Sequence, residues 1–284
     1  MKYLIFILLV AISTFSSALE MVVERSSVTQ GEVIPVYINT VGKFKSQKLF
    51  FSGREYPLFT VNDSIQRALV ATDLGTKPKA QTIFFKAVKL DGREIALQRT
   101  VTVNKGDFPY SIIQIPKAQK KLASVKLIND EGAIIGGQFR GVSPTQLWDG
   151  TFVRPVQGLV TTPYGASRIY DNGKLSWWHK GVDIGAKQGV AVLAPNGGRV
   201  VLSQDLQTHG KTIIIDHGQS VFSIFNHMSK RDVPVGKKVL KGEKIGEVGA
   251  TGIATGPHLH WGLSVSNVRV NPLVFLSVPE ESPR

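Results

Sequence analysis

The 284-residue chain contains no cysteine. That absence excludes disulfides, thiol nucleophiles, thiolate metal sites and a lipid anchored on cysteine. Any metal has to be held by histidine, aspartate or glutamate. Acidic residues are scarce beside basic ones, 21 Asp and Glu against 34 Lys and Arg, for a formal charge of +13. Such a balance favours polyanionic partners. Long apolar runs are scarce too. The clearest, residues 4–12, follows Lys2 and leads into small residues as far as Ala18. It is short for a bilayer core of about 30 Å. Its layout is that of a secretory signal peptide, expected over residues 1–18 with cleavage after Ala18. Export turns the charge argument away from nucleic acid, towards wall polymers, carboxylate-bearing stem peptides and anionic head groups. No stable membrane insertion is expected once the signal is removed. Finally, no histidine precedes His179.

What is present divides the chain into regions. Residues 19–104 carry short alternating runs, among them 33–38, 81–90 and 98–103, with the turn pair Asp91-Gly92 between the last two. This reads as an N-terminal β domain of sandwich type containing a hairpin. Residues 105–150 change character. Pro109 and Pro116 interrupt them, residues 118–128 suit a short helix or a strand, and glycines follow at 132, 136, 137 and 141. They read as a connector with some structure of its own. From 151 to 277, alternating or β-branched runs return at 199–203, 211–216, 221–227 and 258–265, punctuated by glycine. The expectation is all-β, with a second, antiparallel β domain over 151–277 and a loose tail over 278–284.

All six histidines fall in this second β region, at 179, 209, 217, 227, 258 and 260. His179 and Asp183 are four apart in WWHKGVDIG, and Gly181 between them favours extended backbone over helix. Such a pair offers a nitrogen and a hard oxygen, which zinc accepts. In GPHLHWGL, His258 and His260 alternate with Leu259 and Trp261, so both imidazoles share one face of a strand. Placing two imidazoles side by side is unfavourable when both are protonated, unless they are used. His227 closes the run VFSIFNHMS and is expected to share a face with Phe225 and Ser223. His209 and His217 flank one strand, each before glycine, and suit turn and strand-end roles. Together these residues can supply three ligands for a catalytic zinc and leave a fourth position for water. Zinc lowers the pKa of that water towards about 7, and a nearby histidine can take its proton.

These residues resemble the lysostaphin-type (LytM-type) zinc endopeptidases of bacterial cell walls. The resemblance spans about residues 152–276 in four blocks, FVRPVQGLVTTPYGASR, HKGVDIGAKQGVAVLAPNGGRV, HGKTIIIDHGQSVFSIFNHMS and VPVGKKVLKGEKIGEVGATGIATGPHLHWGL. It implies His179, Asp183 and His260 as ligands of one Zn²⁺ per chain, and His227 and His258 as catalytic histidines. It implies an open groove over an antiparallel sheet, and peptidoglycan stem peptides or cross-bridges as substrate. Phe225 stands where the family usually has tyrosine, so a hydroxyl is missing there. The expected function is an exported endopeptidase of peptidoglycan, periplasmic or secreted. The alternative is a non-catalytic regulator that binds and activates other wall hydrolases. A carboxypeptidase or dipeptidase of the D-Ala-D-Ala type fits poorly, because its first His and Asp lie about seven positions apart. A wall-binding adhesin leaves the histidines unexplained. Latency by displacement of the zinc water occurs in the family. The connector, or the loop 168–176 with Asp171 and Asn172, is placed to supply it.

Overall fold

The computed structural model describes residues 19–39, 42–113, 121–122, 124–141, 143–170 and 175–276. The signal-peptide reading for residues 1–18, the tail over 278–284, and Asp171 and Asn172 lie outside them. As expected, β-strands dominate, with one α-helix, α1 (Val125–Gly137), among the described residues. No helix there is long and apolar enough to cross a membrane.

The alternating runs of the N-terminal region form two sheets. One orders the strands Glu20–Val23, Val33–Asn39, Ile65–Ala71 and Phe59–Asn62. The other orders Ser27–Thr29, Glu94–Asn104, Ala80–Lys89, Phe44–Phe51 and Arg54–Tyr56. The hairpin predicted at Asp91-Gly92 is present, and Gly92 takes the positive φ of 86° that its corner needs. Ile34, Val36, Leu49, Val70, Ile83, Phe85 and Val101 fill the space between the two sheets.

That core does not stop at the N-terminal region. Phe152, Val221, Leu263, Val265, Val268, Val270 and Phe275 belong to the same buried cluster. Polar contacts follow the same boundary. Asn271 N–H donates to Gly31 O at 2.9 Å and Ser266 Oγ donates to Leu69 O at 3.2 Å. A Cβ on Gly31 would lie 2.5 Å from the Tyr164 ring. Glycine is therefore what allows this close approach.

The C-terminal region is built on an eight-stranded sheet. Its main order is Val160–Thr162, Val182–Gly185, His258–Val265, Val221–Met228, Gly210–Gly218, Gly198–Leu206 and Lys238–Val239, and Val268–Val270 also pairs with His258–Val265. One face packs on Val182, Ile184, Ile213, Ile215, Phe225, Leu259 and Trp261. On the other face, Ile135 and Phe139 of the connector pack on Leu202, Leu206, Ile214, Phe222 and Ile224. The connector is thus more structured than its glycines suggested. α1 begins at Ser124, whose hydroxyl accepts from Leu127 N–H, and it carries Gly132, Gly136 and Gly137 within it. Helix-weakening glycine is tolerated there because burial of one apolar face outweighs a cost of about 1 kcal/mol each. The strand Tyr110–Ile113 runs parallel to Ser167–Tyr170, so the connector also extends a C-terminal sheet.

His217 ties the start of the eight-stranded sheet together. It is fully buried, donates through Nδ1 to Gly197 O at 2.7 Å, accepts at Nε2 from Ser223 Oγ at 2.8 Å, and stands edge-on to the Phe152 ring. Burial, only partly offset by the Gly197 carbonyl, pushes its pKa down to about 4. The unfolded chain therefore binds a proton, between pH 6.5 and 4, that the folded chain refuses, so stability falls as pH drops through that window. The expected loss is about 3 kcal/mol from this group alone. Urea unfolding from pH 7 to pH 4, compared between wild type and His217→Asn, should give a flatter pH dependence in the variant. Equal slopes would exclude His217 as the cause.

Candidate metal centre and its histidines

Register builds the site. In the central sheet Asp183 pairs with His260, and His260 pairs with Asn226 on the next strand. Directly paired residues point to the same face. Asp183 and His260 therefore converge with no further device. His179 arrives differently from the sequence expectation. It lies just after the strand Leu175–Trp178, and the chain bends at Gly181 before Val182–Gly185 begins. His179 and Asp183 are thus not on one extended strand. The bend, pinned by His179 N–H to Ala166 O at 2.9 Å, swings the imidazole over the sheet.

Three donor atoms meet there. His179 Nε2 lies 2.9 Å from His260 Nδ1 and 3.0 Å from Asp183 Oδ1, and His260 Nδ1 lies 2.9 Å from Asp183 Oδ1. All three residues are buried. Burial alone pushes the Asp183 carboxyl up, but the adjoining His179 and His260 rings outweigh it and hold the pKa well below the usual range. Burial holds His260 well below the ordinary histidine value.

Tautomers follow from the backbone. His179 Nδ1 lies 2.9 Å from Pro163 O, which can only accept, so Nδ1 carries the proton and Nε2 presents a lone pair. With Asp183 ionised, one proton at most, on His260 Nδ1, can be shared among three mutually close atoms. A divalent cation suits that donor set better. Tetrahedral zinc with N and O ligands at about 2.0–2.1 Å spaces them about 3.3 Å apart, close to what is present. Among the described residues, His179, Asp183 and His260 form the one group of His, Cys, Asp and Glu able to hold a metal.

His227 and His258 lie beside this group. Their rings are 4.9 Å apart, and the His227 ring is 6.2 Å from that of His260. His258 Nδ1 donates to Gly256 O at 2.9 Å and His227 Nδ1 donates to Thr251 O at 2.8 Å. In each neutral ring Nδ1 therefore carries the proton and Nε2 the lone pair. Burial, then the neighbouring His258, pushes the His227 pKa down to about 3. The structure corrects the expected facing of His227. Phe225 enters the core beneath the sheet, whereas His227 sits at a register shift with φ of +63° and turns to the face carrying His258. A left-handed non-glycine residue interrupts the strand alternation from which a shared face was inferred.

Sequence reasoning missed the supports of this arrangement. Gly181 is needed for space as well as conformation, because a Cβ there would lie 2.6 Å from Trp261 O and 2.7–2.8 Å from the His260 ring. Thr251 lies in a stretch readable only as glycine corners. Glu131 lies in the connector, with no motif to mark it, yet is buried against Thr208 and His209.

Residues 178–272 match the family model described as peptidase family M23. The peptidoglycan DD-endopeptidase ShyA of Vibrio cholerae is 37% identical over 114 residues, 40% of this chain and 26% of that protein. The murein hydrolase activator EnvC of Escherichia coli is 34% identical over 122 residues, 43% of this chain and 28% of that protein. The chain thus spans about a quarter of the length of these curated relatives. A solved structure from Pseudomonas aeruginosa, assigned to peptidase M23, is 28% identical with a TM-score of 0.63, covering 87% of this chain and 94% of that one.

Gly181→Ala should separate geometry from composition. All donors remain, but the methyl group displaces His260. We expect zinc affinity measured by calorimetry to fall at least about tenfold, as when a ligand's supporting contacts are lost. Unchanged affinity would mean that His260 is not a ligand.

Proposed function

We propose that this chain, whose residues 178–272 carry the domain of peptidase family M23, is an exported zinc-dependent endopeptidase that hydrolyses peptide cross-links of bacterial peptidoglycan. In this reading residues 151–277 are the zinc peptidase domain, preceded by the N-terminal β domain over 19–104 and the connector over 105–150. The observation that carries it is the buried convergence of His179 Nε2, Asp183 Oδ1 and His260 Nδ1, with two further histidine rings beside them, each held at Nδ1 by a main-chain carbonyl.

His179, Asp183 and His260 would hold the metal. Zinc held there supplies Lewis acidity, polarising the scissile carbonyl and lowering the pKa of water towards about 7. The chain's own part is proton handling and orientation. His258 can accept a proton at Nε2 from the attacking water and return it to the leaving amine, while His227, kept neutral by burial, can orient that water through Nε2. The carbonyls of Thr251 and Gly256 hold those rings in the required tautomer. Likeness to ShyA supports a peptidoglycan substrate, and the excess of basic residues suits its carboxylates.

Likeness to EnvC favours a second reading, a regulator of other wall hydrolases. A regulator has no need of three buried donors and two oriented histidines, so we place it second.

Digestion of purified sacculi with added zinc tests both. We expect cross-linked muropeptide dimers to fall to monomers, and His260→Ala to lose more than about a hundredfold of that activity. Zinc at a hundred times its dissociation constant should also stabilise the wild type by about 2.7 kcal/mol and leave His260→Ala unmoved. Sacculi left intact, together with stimulation of an added amidase, would establish the regulator instead.

A further inference from the structure

The connector helix reaches the site face. Ile224 pairs with Gly262, Ile214 with Ile224, and Leu202 with Ile214. Gly262 is two residues from His260 on one strand, so these side chains lie on the face that carries the metal group. Ile135 of α1 and Phe139 in the turn just beyond it cover them. From the same helix, Glu131 points into the turn that joins Gly198–Leu206 to Gly210–Gly218.

Glu131 is 4% exposed, and its carboxylate is surrounded by donors. It accepts from Thr208 N–H at 3.0 and 3.1 Å, from His209 N–H at 3.2 Å and from His209 Nδ1 at 2.7 Å, and also from Gln207 N–H and the Thr208 hydroxyl. Burial pushes this carboxyl up, but the bonds from Thr208 and His209 outweigh it and hold it below the usual value. No surface ion pair engages so many backbone donors. The turn is clamped.

What the clamped turn holds is His227. His209 O accepts His227 N–H at 2.9 Å, at the residue whose φ is +63°. Thr208 O accepts Ile253 N–H at 2.8 Å, which fixes the loop whose Thr251 O receives His227 Nδ1–H. Thr251 is tied further by its hydroxyl to Met228 O at 2.7 Å and by Lys211 N–H at 2.9 Å. Both attachments of the strained histidine, backbone and ring, therefore run back to Thr208 and His209, two of the residues that Glu131 grips. A non-glycine left-handed conformation persists only when its surroundings over-determine it.

We propose that Glu131 is a positioning residue for His227, acting through the Thr208–His209 turn, so that the connector helix completes the site. This inference rests on the endopeptidase reading for its kinetic consequence, but not for its structural one. Glu131→Gln keeps size and removes the second acceptor. Histidine ring ¹⁵N–¹H correlation spectra of the whole protein provide the readout independent of activity, with His227→Gln assigning the signal. The wild type should show His227 as a single Nδ1–H species, and Glu131→Gln should show mixed tautomers or a broadened signal. On cross-linked muropeptides released from sacculi, kcat should fall by about ten- to a hundredfold, the effect of a small misplacement of a reacting group. KM and zinc affinity should stay unchanged, and Asp130→Asn, one position away on the helix, should behave as wild type. A lowered melting temperature with His227 signals and kcat unaltered would reduce Glu131 to a structural anchor and overturn the proposal. A rise in kcat would overturn it in the other direction, making α1 an obstruction of the groove. An inactive wild type would sink the endopeptidase reading alone, and the His227 spectra would still decide the role of Glu131.

Discussion

Three acceptor atoms within about 3 Å of one another, shielded from water, are an arrangement that folding alone does not favour. His179 Nε2, Asp183 Oδ1 and His260 Nδ1 have one proton at most to share, and their mutual repulsion has to be offset. Buried charge without compensation costs several kcal/mol. The surrounding structure meets that cost in advance. Strand pairing places Asp183 opposite His260, a bend at Gly181 leaves room for the ring, and Pro163 O removes the wrong tautomer of His179. A cation in the group would relieve the repulsion that these devices maintain.

The same principle governs the histidines around it. His179, His227 and His258 each spend Nδ1–H on a main-chain carbonyl, and main-chain carbonyls of a rigid sheet and its loops do not titrate or rotate. Every Nε2 is therefore committed before any ligand arrives. His227 shows what this costs. Its backbone leaves the strand region, and the register of its strand shifts around it. A strand that continued regularly would send this imidazole into the core occupied by Phe225.

Much of this was legible in the sequence because it rests on local periodicity. The alternation of His258 and His260 with Leu259 and Trp261 fixed which residues face the site and which face the core. The four-residue spacing of His179 and Asp183 allowed convergence, although by a bend and not along one strand. Period-two patterning likewise revealed both β regions and the hairpin at Asp91-Gly92. What patterning could not reveal were departures from it. The left-handed turn at His227 has no sequence mark, since histidine is not a residue that announces positive φ. Nor could the sequence show that a glycine-bearing helix would form from the connector. Its stability comes from Ile135 and Phe139 meeting a sheet face assembled from strands some 65 to 90 residues further along.

That long-range origin changes how the chain divides. By sequence, the N-terminal β region and the connector look separable from the histidine-bearing region. Physically they are not. Phe152, Leu263, Val265 and Phe275 share one buried cluster with Ile34, Leu49 and Val70. Removing residues 19–150 would expose that apolar surface, strip α1 from Ile214 and Ile224, and release the turn that Glu131 grips. A shortened chain that lost activity would therefore say nothing about inhibition by the missing part, because the site face would have lost its support. The informative changes are single side chains at the contacts themselves, where the sheet, the helix and the histidines meet without the core being opened.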